Sequence, residues 1–402
     1  MNQRQLFLQH IAQTSPAPMG LEIVKAEGIY MWDAAGKPYV DLISGFSVMN
    51  IGHGNAAVKA AVKKQVDDYM HLMVYGEMIE TPQVQYAKKL TGFLPENLDC
   101  VYFTNSGAEA TEGAMKLAKR VTGRTGIVAF NNAYHGSTQG ALSIMGDEYW
   151  RNAYRPLLPD VHHVSFNQQE AIEAITSQTA CVVVEVVQAE AGAQAAKTQW
   201  LQALRNKCTE VGALLIFDEI QTGFGRTGTL WAFQQYEVVP DILLLGKALG
   251  GGLPLGAFIS SHQHMQQLTS NPVLGHISTF AGHPVCCAAG LAAFDELLQM
   301  SSFSTHQIGW NAIGEKEQLF RTGLVHPAIK AIHGKGLLLA VEFESAAICQ
   351  NICHACVKEG FITDWFLFAP HCLRIAPPLN ISEEEINQTI TGILGVISQV
   401  SM

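Results

Sequence analysis

Charge is scarce in this chain. Asp, Glu, Lys and Arg make up 15% of its 402 residues, and the balance is acidic, with a formal net charge of −10. A nucleic acid or an anionic membrane surface asks for a basic patch, so the balance argues against both as partners. Long apolar runs are missing too: none approaches the roughly 20 residues that cross a bilayer. The first residues, Met1-Asn-Gln-Arg-Gln-Leu-Phe-Leu-Gln-His10, lack the charged stretch, apolar core and cleavage site of a secretory signal. Nine cysteines form an odd set without framework spacing, which points to a reducing cytoplasm. Cys353-His354-Ala355-Cys356 is a C-x-x-C, but it lies in an amphipathic helical stretch with no second pair. It reads as packing, and no metal site is expected.

What is abundant is core material. Hydrophobic residues reach 48%, and 36 glycines are spread through the chain rather than gathered in tracts. The length suits two domains or one large α/β unit. Strand-like runs at Val101–Phe103, Ile127–Phe130, Val161–Phe166, Cys181–Val187, Ala213–Phe217, Ile242–Leu245 and Leu255–Ile259 are interleaved with helical stretches at 108–121, 170–175 and 200–211. That alternation predicts βαβ units and a mostly parallel sheet. A helix over 286–298 leads into a different region, with strands at 336–343 and 372–375 and helices at 348–359 and 383–400. The fold class is therefore α/β, with a large domain built on the parallel sheet and a smaller α+β domain. The boundaries read as 48–298 for the large domain and 299–402 for the small one. Residues 1–47 pack with the small domain or arch over the large one.

Two ionisable groups stand at the ends of apolar strands. Ala213-Leu-Leu-Ile-Phe217 runs into Asp218-Glu219-Ile220-Gln221-Thr222-Gly223, and Asp241-Ile-Leu-Leu-Leu-Gly246 runs into Lys247-Ala-Leu-Gly-Gly-Gly252. Ligands of open α/β sheets bind at the carboxyl ends of strands. An amine and a carboxylate placed there suit a carbonyl cofactor that needs an imine-forming lysine and an acid for its ring nitrogen, which are the protein requirements of pyridoxal phosphate (PLP). A lysine in that role needs partial desolvation or a cationic neighbour.

The remaining motifs each have a plain reading beside a functional one. Ser106 and Glu109 have capping-box spacing, so Ser106-Gly107-Ala108 is either an ordinary helix start or a phosphate cradle. Tyr134, in Asn132-Ala-Tyr-His135-Gly136, either packs or stacks on a cofactor ring. Glu185 interrupts an apolar run and is a sheet-end carboxylate or a site residue. Thr279 offers a hydroxyl in a polar loop. Arg374, between apolar residues and before Pro377-Pro378, is a carboxylate fork or a structural ion pair. Phe46 and Tyr75 are pocket aromatics or core.

Together these segments, in order from about Gly20 to Leu379, resemble the class III aminotransferases, PLP-dependent transferases of fold type I. The resemblance implies that Lys247 forms the Schiff base and Asp218 pairs with the ring nitrogen. It implies further that Gln221 approaches the phenolic oxygen, that Tyr134 with His135 and Glu185 lines the ring, and that Ser106, Gly107 and Ala108 hold the phosphate. Thr279 would reach the phosphate of the partner in a homodimer. Arg374 would bind a substrate carboxylate, with Glu190 as the glutamate that pairs with it and swings away; a movable Arg374 would let one site take substrates with and without a carboxylate. The implied activity is ping-pong transfer of an amino group from an amine or amino acid to a 2-oxo acid. A racemase or a dialkylglycine-type decarboxylase on the same scaffold is the alternative. Two departures stand out. Ornithine-, acetylornithine- and 4-aminobutyrate-type members carry an arginine where this chain has Ser137, and the stretch Glu185-Val-Val-Gln188-Ala-Glu190-Ala-Gly192 lacks the usual proline and leading glycine.

Overall fold

In the computed structural model, residues 2–74, 76–300 and 311–400 are described; Tyr75 therefore lies outside the described residues. A seven-stranded sheet carries the site. Its spatial order is Cys100–Thr104, Gly256–Ser260, Ile242–Leu245, Leu214–Asp218, Thr179–Val184, Gly126–Phe130 and Val161–Val164. The last five of these pair in parallel, and only Gly256–Ser260 runs against its two neighbours. Parallel strands covered on both faces must be apolar throughout. The runs Ile242–Leu245 and Thr179–Val184 are buried at every position.

Helix Gly107–Thr122 crosses one face, with Ser106 as its cap and Gly123 closing it in the left-handed region. Its Gly113 is packed so closely on Phe258 that a Cβ there would lie 2.3 Å from the ring. Helix Thr198–Val211 covers the opposite face through Leu201, Leu204 and Cys208, which share one core with Leu215 and Phe217. The expected strand through Val187 stops at Val184. Glu185 accepts N–H bonds from Tyr134 and Ala189, both at 3.2 Å, and so falls in the break between Val184 and the short strand Val187–Gln188.

Two smaller sheets flank this unit. Ala331–Lys335, Leu338–Glu342, Ala369–Ile375 and Trp365–Phe366 form one. The other joins the two ends of the chain: Ile23–Glu27, Tyr30–Asp33 and Pro38–Asp41 are completed by Phe361–Ile362, which runs parallel to Pro38–Asp41. Arg226, fully buried, ties these parts to the central unit. Its Nη1 donates to the carbonyls of Leu337 and Pro377, and its Nη2 donates to Ser44 and Asn50. No helix among the described residues is long and apolar enough to cross a membrane.

Candidate active site

The carboxyl ends of Leu214–Asp218 and Ile242–Leu245 open into a cavity of about 260 Å³. Its walls include Gly107, Ala108, Tyr134, His135, Glu185, Glu190, Asp218, Gln221 and Lys247. Asp218 is the last residue of its strand. Lys247 follows Gly246 at a sharp turn and takes a positive φ of 48°. That conformation is strained for a lysine, and it directs the chain out of the sheet as a short 3₁₀ turn begins.

Asp218 is held from two sides. His135 Nδ1 donates to its Oδ2 at 2.7 Å, and Ile220 N donates to its Oδ1 at 2.9 Å. Burial pulls the His135 pKa down, but the bond and charge of Asp218 outweigh it and the net direction is up. Burial pushes Glu185 up to about 8, against the opposing charge of His135. Lys247 Nζ donates to Gln221 Oε1 at 2.7 Å. Burial depresses the Lys247 pKa, while Glu190 and Asp218 pull the other way. A depressed amine pKa is what a lysine nucleophile or proton carrier needs.

The helix start beside them is built for close approach. Ser106 Oγ is taken up by capping, since Glu109 N donates to it at 3.2 Å. The first helical bond runs from Ala110 N to Ser106 O, so the amides of Gly107 and Ala108 precede the helical ladder. A Cβ on Gly107 would stand 2.8 Å from Ile220, and one on Gly136, at φ 131°, would stand 2.6 Å from Ala108. The Tyr134–Gly136 loop is fixed to this helix by Thr111 Oγ1, which donates to the His135 carbonyl at 3.0 Å.

Glu190 lines the cavity; Arg374 lies behind it. Arg374 is fully buried and its Nη2 donates to Glu190 Oε2 at 3.0 Å. Burial raises the pKa of Glu190, but Arg374 overrides this and holds it below the ordinary range. The second partner of Arg374 is Asp364, whose Oδ1 accepts from Nε at 2.7 Å. Asp364 was absent from the sequence reading, because its role depends on the pairing of two-residue strands on either side of it. Phe46 is 42% exposed, with its ring 5.1 Å from the Arg374 guanidinium. So Lys247, Asp218, Gln221, Tyr134, His135, Glu185, Glu190, Gly107 and Ala108 come together in one cavity, and Ser106, Phe46 and Arg374 stand next to it. Thr279 does not: it is exposed on a loop outside the cavity of its own chain. Thr222 also lines the cavity and was missed. Cys349, Cys353 and Cys356 are buried thiols, and among the described residues no group of three or more potential metal ligands gathers anywhere.

These residues fit PLP. The amine, the anchored carboxylate and the cradle at Gly107 face one cavity, and the buried Gln221 Nε2 and Thr222 Oγ1 have no partner among the described residues. Comparison with known proteins agrees. The family model for class-III aminotransferases matches residues 11–397. Acetylornithine aminotransferase of Caldanaerobacter subterraneus subsp. tengcongensis is 34% identical over 394 residues, covering 94% of this chain and 95% of the relative. The LysW-aminoadipate semialdehyde/glutamate semialdehyde transaminase of Sulfurisphaera tokodaii is 37% identical over 329 residues, covering 80% and 82%. The ornithine aminotransferase of Toxoplasma gondii superposes with a TM-score of 0.90 at 29% identity, covering 99% of this chain and 93% of that one. An (S)-enantioselective omega-transaminase of Thermomicrobium roseum gives 0.89 at 28% identity, covering 98% and 97%.

Proposed function

The chain belongs to the class-III aminotransferases and is a PLP-dependent transaminase of fold type I, and we propose that Lys247, Asp218 and Arg374 carry the three parts of its work. The observation that supports this most directly is the shared cavity, in which Lys247 and a His135-anchored Asp218 stand at neighbouring strand ends. When bound, PLP supplies an aldehyde for imine formation and a protonated ring that takes up the electron pair left at the substrate carbon. Lys247 Nζ binds that aldehyde at rest. During turnover it takes up the proton from the donor's amine-bearing carbon and delivers it again as general acid. Asp218 keeps a proton on the ring nitrogen, and His135 holds Asp218 in place through its bond to Oδ2. Gln221 would hold the ring oxygen and Tyr134 would cover a ring face, with Glu185 fixing the loop that carries Tyr134 by accepting from its N–H. Gly107 and Ala108 bind the phosphate through first-turn amides, behind the Ser106 cap.

Arg374 binds the carboxylate of the 2-oxo acid, and Glu190 is the part that moves. Complete burial of Arg374 and its several fixed contacts speak against the movable arginine expected from the sequence, whereas Glu190 borders the cavity. Lys247 is the only lysine or arginine among the described lining residues, and the His135 ring is taken up by Asp218. Ser137, whose hydroxyl is 3.1 Å from the Tyr134 hydroxyl, supplies no second carboxylate anchor. The donor is therefore an amine or amino acid whose remote end carries no fixed carboxylate, unlike the donors that the names of the acetylornithine and ornithine relatives indicate.

We also propose the domain division at 47/48 and 298/299, a cytoplasmic location from the free cysteines, and a homodimer in which Thr279 reaches the partner's phosphate. Exposed apolar side chains support the dimer. Met70, Leu72, Met73, Met78 and Ile79 are exposed, as are Val273, Leu274, Ile277 and Phe280, and the two segments touch where His71 packs on Phe280 at 4.8 Å. The first test is the absorption spectrum of the purified holoenzyme with a panel of amine donors and no acceptor. Bleaching by a donor, with a ketone or aldehyde released, supports transamination and names the donor. A band that no amine or amino acid bleaches would overturn the proposed proton transfer by Lys247.

A further inference from the structure

Arg374 is braced on several sides behind the cavity. Its Nε donates to Asp364 Oδ1 at 2.7 Å and its Nη2 to Glu190 Oε2 at 3.0 Å, while the buried Nη1 has no partner among the described residues. The ring of Phe366 stands 4.0 Å from the guanidinium carbon and that of Phe46 5.1 Å. The backbones are tied as well. Arg374 N donates to the Asp364 carbonyl at 2.9 Å, and the Thr363 hydroxyl donates to the Arg374 carbonyl at 2.6 Å. Asp364 is itself placed by two sheets. The strand before it, Phe361–Ile362, pairs with Pro38–Asp41, and the strand after it, Trp365–Phe366, pairs with Ala369–Ile375.

A guanidinium receives a carboxylate best when two parallel N–H groups meet it in one plane. With Nε held by Asp364, the open edge is Nη1–Nη2, and Glu190 occupies half of it. An incoming carboxylate that replaces Glu190 exchanges one negative charge for another, so the charge balance around Arg374 is unchanged. What decides capture is whether the plane stays aimed at the cavity once Glu190 leaves. We propose that Asp364 is a positioning residue whose bond to Arg374 Nε keeps the Nη1–Nη2 edge facing the substrate carboxylate. The inference rests on the reading of Arg374 as the carboxylate anchor.

The test needs no knowledge of the natural donor. Aminooxyacetate and hydroxylamine both consume the aldehyde of PLP holoenzyme, and only the first carries a carboxylate. Asp364→Ala is expected to slow loss of the absorption band with sub-saturating aminooxyacetate about 10-fold, and to leave the hydroxylamine rate within about twofold. Asp364→Leu, closer in volume, repeats the measurement should the alanine variant not fold. Asp364→Asn keeps an oxygen acceptor for Nε and is expected to match the parent with both reagents. The KM for pyruvate or 2-oxoglutarate should rise by the same factor in the alanine variant, with kcat nearly unchanged. The proposal is overturned when the tether-loss variants slow neither reagent, or both equally, or when Asp364→Asn is as slow as Asp364→Ala. Arg374→Gln separates the two ideas. A glutamine variant that handles both reagents as the parent does removes the anchor reading and Asp364 with it. One that is selectively slow with aminooxyacetate, while the Asp364 variants are not, removes only the role of Asp364.

Discussion

His135 Nδ1 stands 2.7 Å from Asp218 Oδ2, with both side chains buried beneath the cavity. The histidine does not need to touch the substrate to matter, because it fixes and aims a buried carboxylate. A charge-assisted bond of this kind is worth roughly 1.5–3 kcal/mol. His135→Leu is therefore expected to lower kcat about 10- to 100-fold and to weaken PLP binding, with stopped-flow and cofactor titration as readouts. Asp218→Ala should lose more than the histidine variant in both. A His135→Leu enzyme with parent kcat would show that Asp218 needs no anchor.

Among the described residues Lys247 is the only one lining the cavity with an amine, and burial keeps its pKa below that of an ordinary lysine. Removal of the group that binds the cofactor and carries the proton is expected to reduce kcat by about 10³-fold or more. Lys247→Ala should still bind PLP through the phosphate and ring contacts, giving the band of the free aldehyde instead of that of an imine. Near-parent turnover in this variant would remove the proposed mechanism.

Much of this site is legible in the sequence. Asp218 and Lys247 were legible because each ends an apolar run, and strand ends are where open sheets place ligands. Glu185 was legible as a charge inside an apolar stretch, although the strand stops one residue before it. Asp364, Arg226 and the terminal sheet were not legible. Phe361–Ile362 and Trp365–Phe366 are two-residue strands with no period to detect, and they are strands only because Pro38–Asp41 and Ala369–Ile375 are already in place. Arg226 looks like a surface residue in Gly225-Arg226-Thr227-Gly228. Its burial depends on carbonyls more than 100 positions away.

Glu185 offers a pH test. Burial lifts its carboxyl from 4.5 to about 8 in the folded protein. An acid whose pKa is raised by folding binds its proton more tightly in the folded state. Stability is then lost as pH rises from the unfolded value towards the folded one, and the full cost is present above about 8. At about 1.4 kcal/mol per unit the cost is at most a few kcal/mol. Glu185→Gln carries no charge and should escape it. Denaturant unfolding at pH 5, 7 and 9 should show the variant gaining on the parent up to about pH 8 and then running parallel. A difference that does not change with pH would mean that the carboxyl is ionised throughout.

Ser137 is a specificity test in the opposite direction, a gain of function. It borders the cavity at the Tyr134 end, where acetylornithine-type members carry an arginine. Ser137→Arg supplies the missing cation. It is expected to lower the KM for N-acetylornithine by about 10-fold or more relative to the parent, as a charged hydrogen bond of ordinary strength allows, while donors without a remote carboxylate gain nothing. An unchanged KM ratio between the two donor classes would show that a feature other than Ser137 sets the donor.

The dimer reading makes its own demand on Thr279, which is exposed on its own chain and absent from its own cavity. Two-fold assembly places the same surface on both partners, so each would lend its Thr279 to the other. Mixed dimers test this. In a mixture of Lys247→Ala and Thr279→Ala chains, refolded together, a heterodimer contains one cavity with Lys247 from one chain and Thr279 from the other. Random pairing makes half the dimers mixed, each with one intact cavity, so about a quarter of parent activity should return at PLP concentrations where either variant alone is nearly inactive. Were Thr279 to act within its own chain, the mixture would contain no intact cavity and no activity would return. The apolar patch supplies the control. Ile79, 94% exposed, and Phe280, 54% exposed, carry no proposed chemistry. Ile79→Asp with Phe280→Asp in both chains is expected to give monomers by sedimentation and to abolish the complementation.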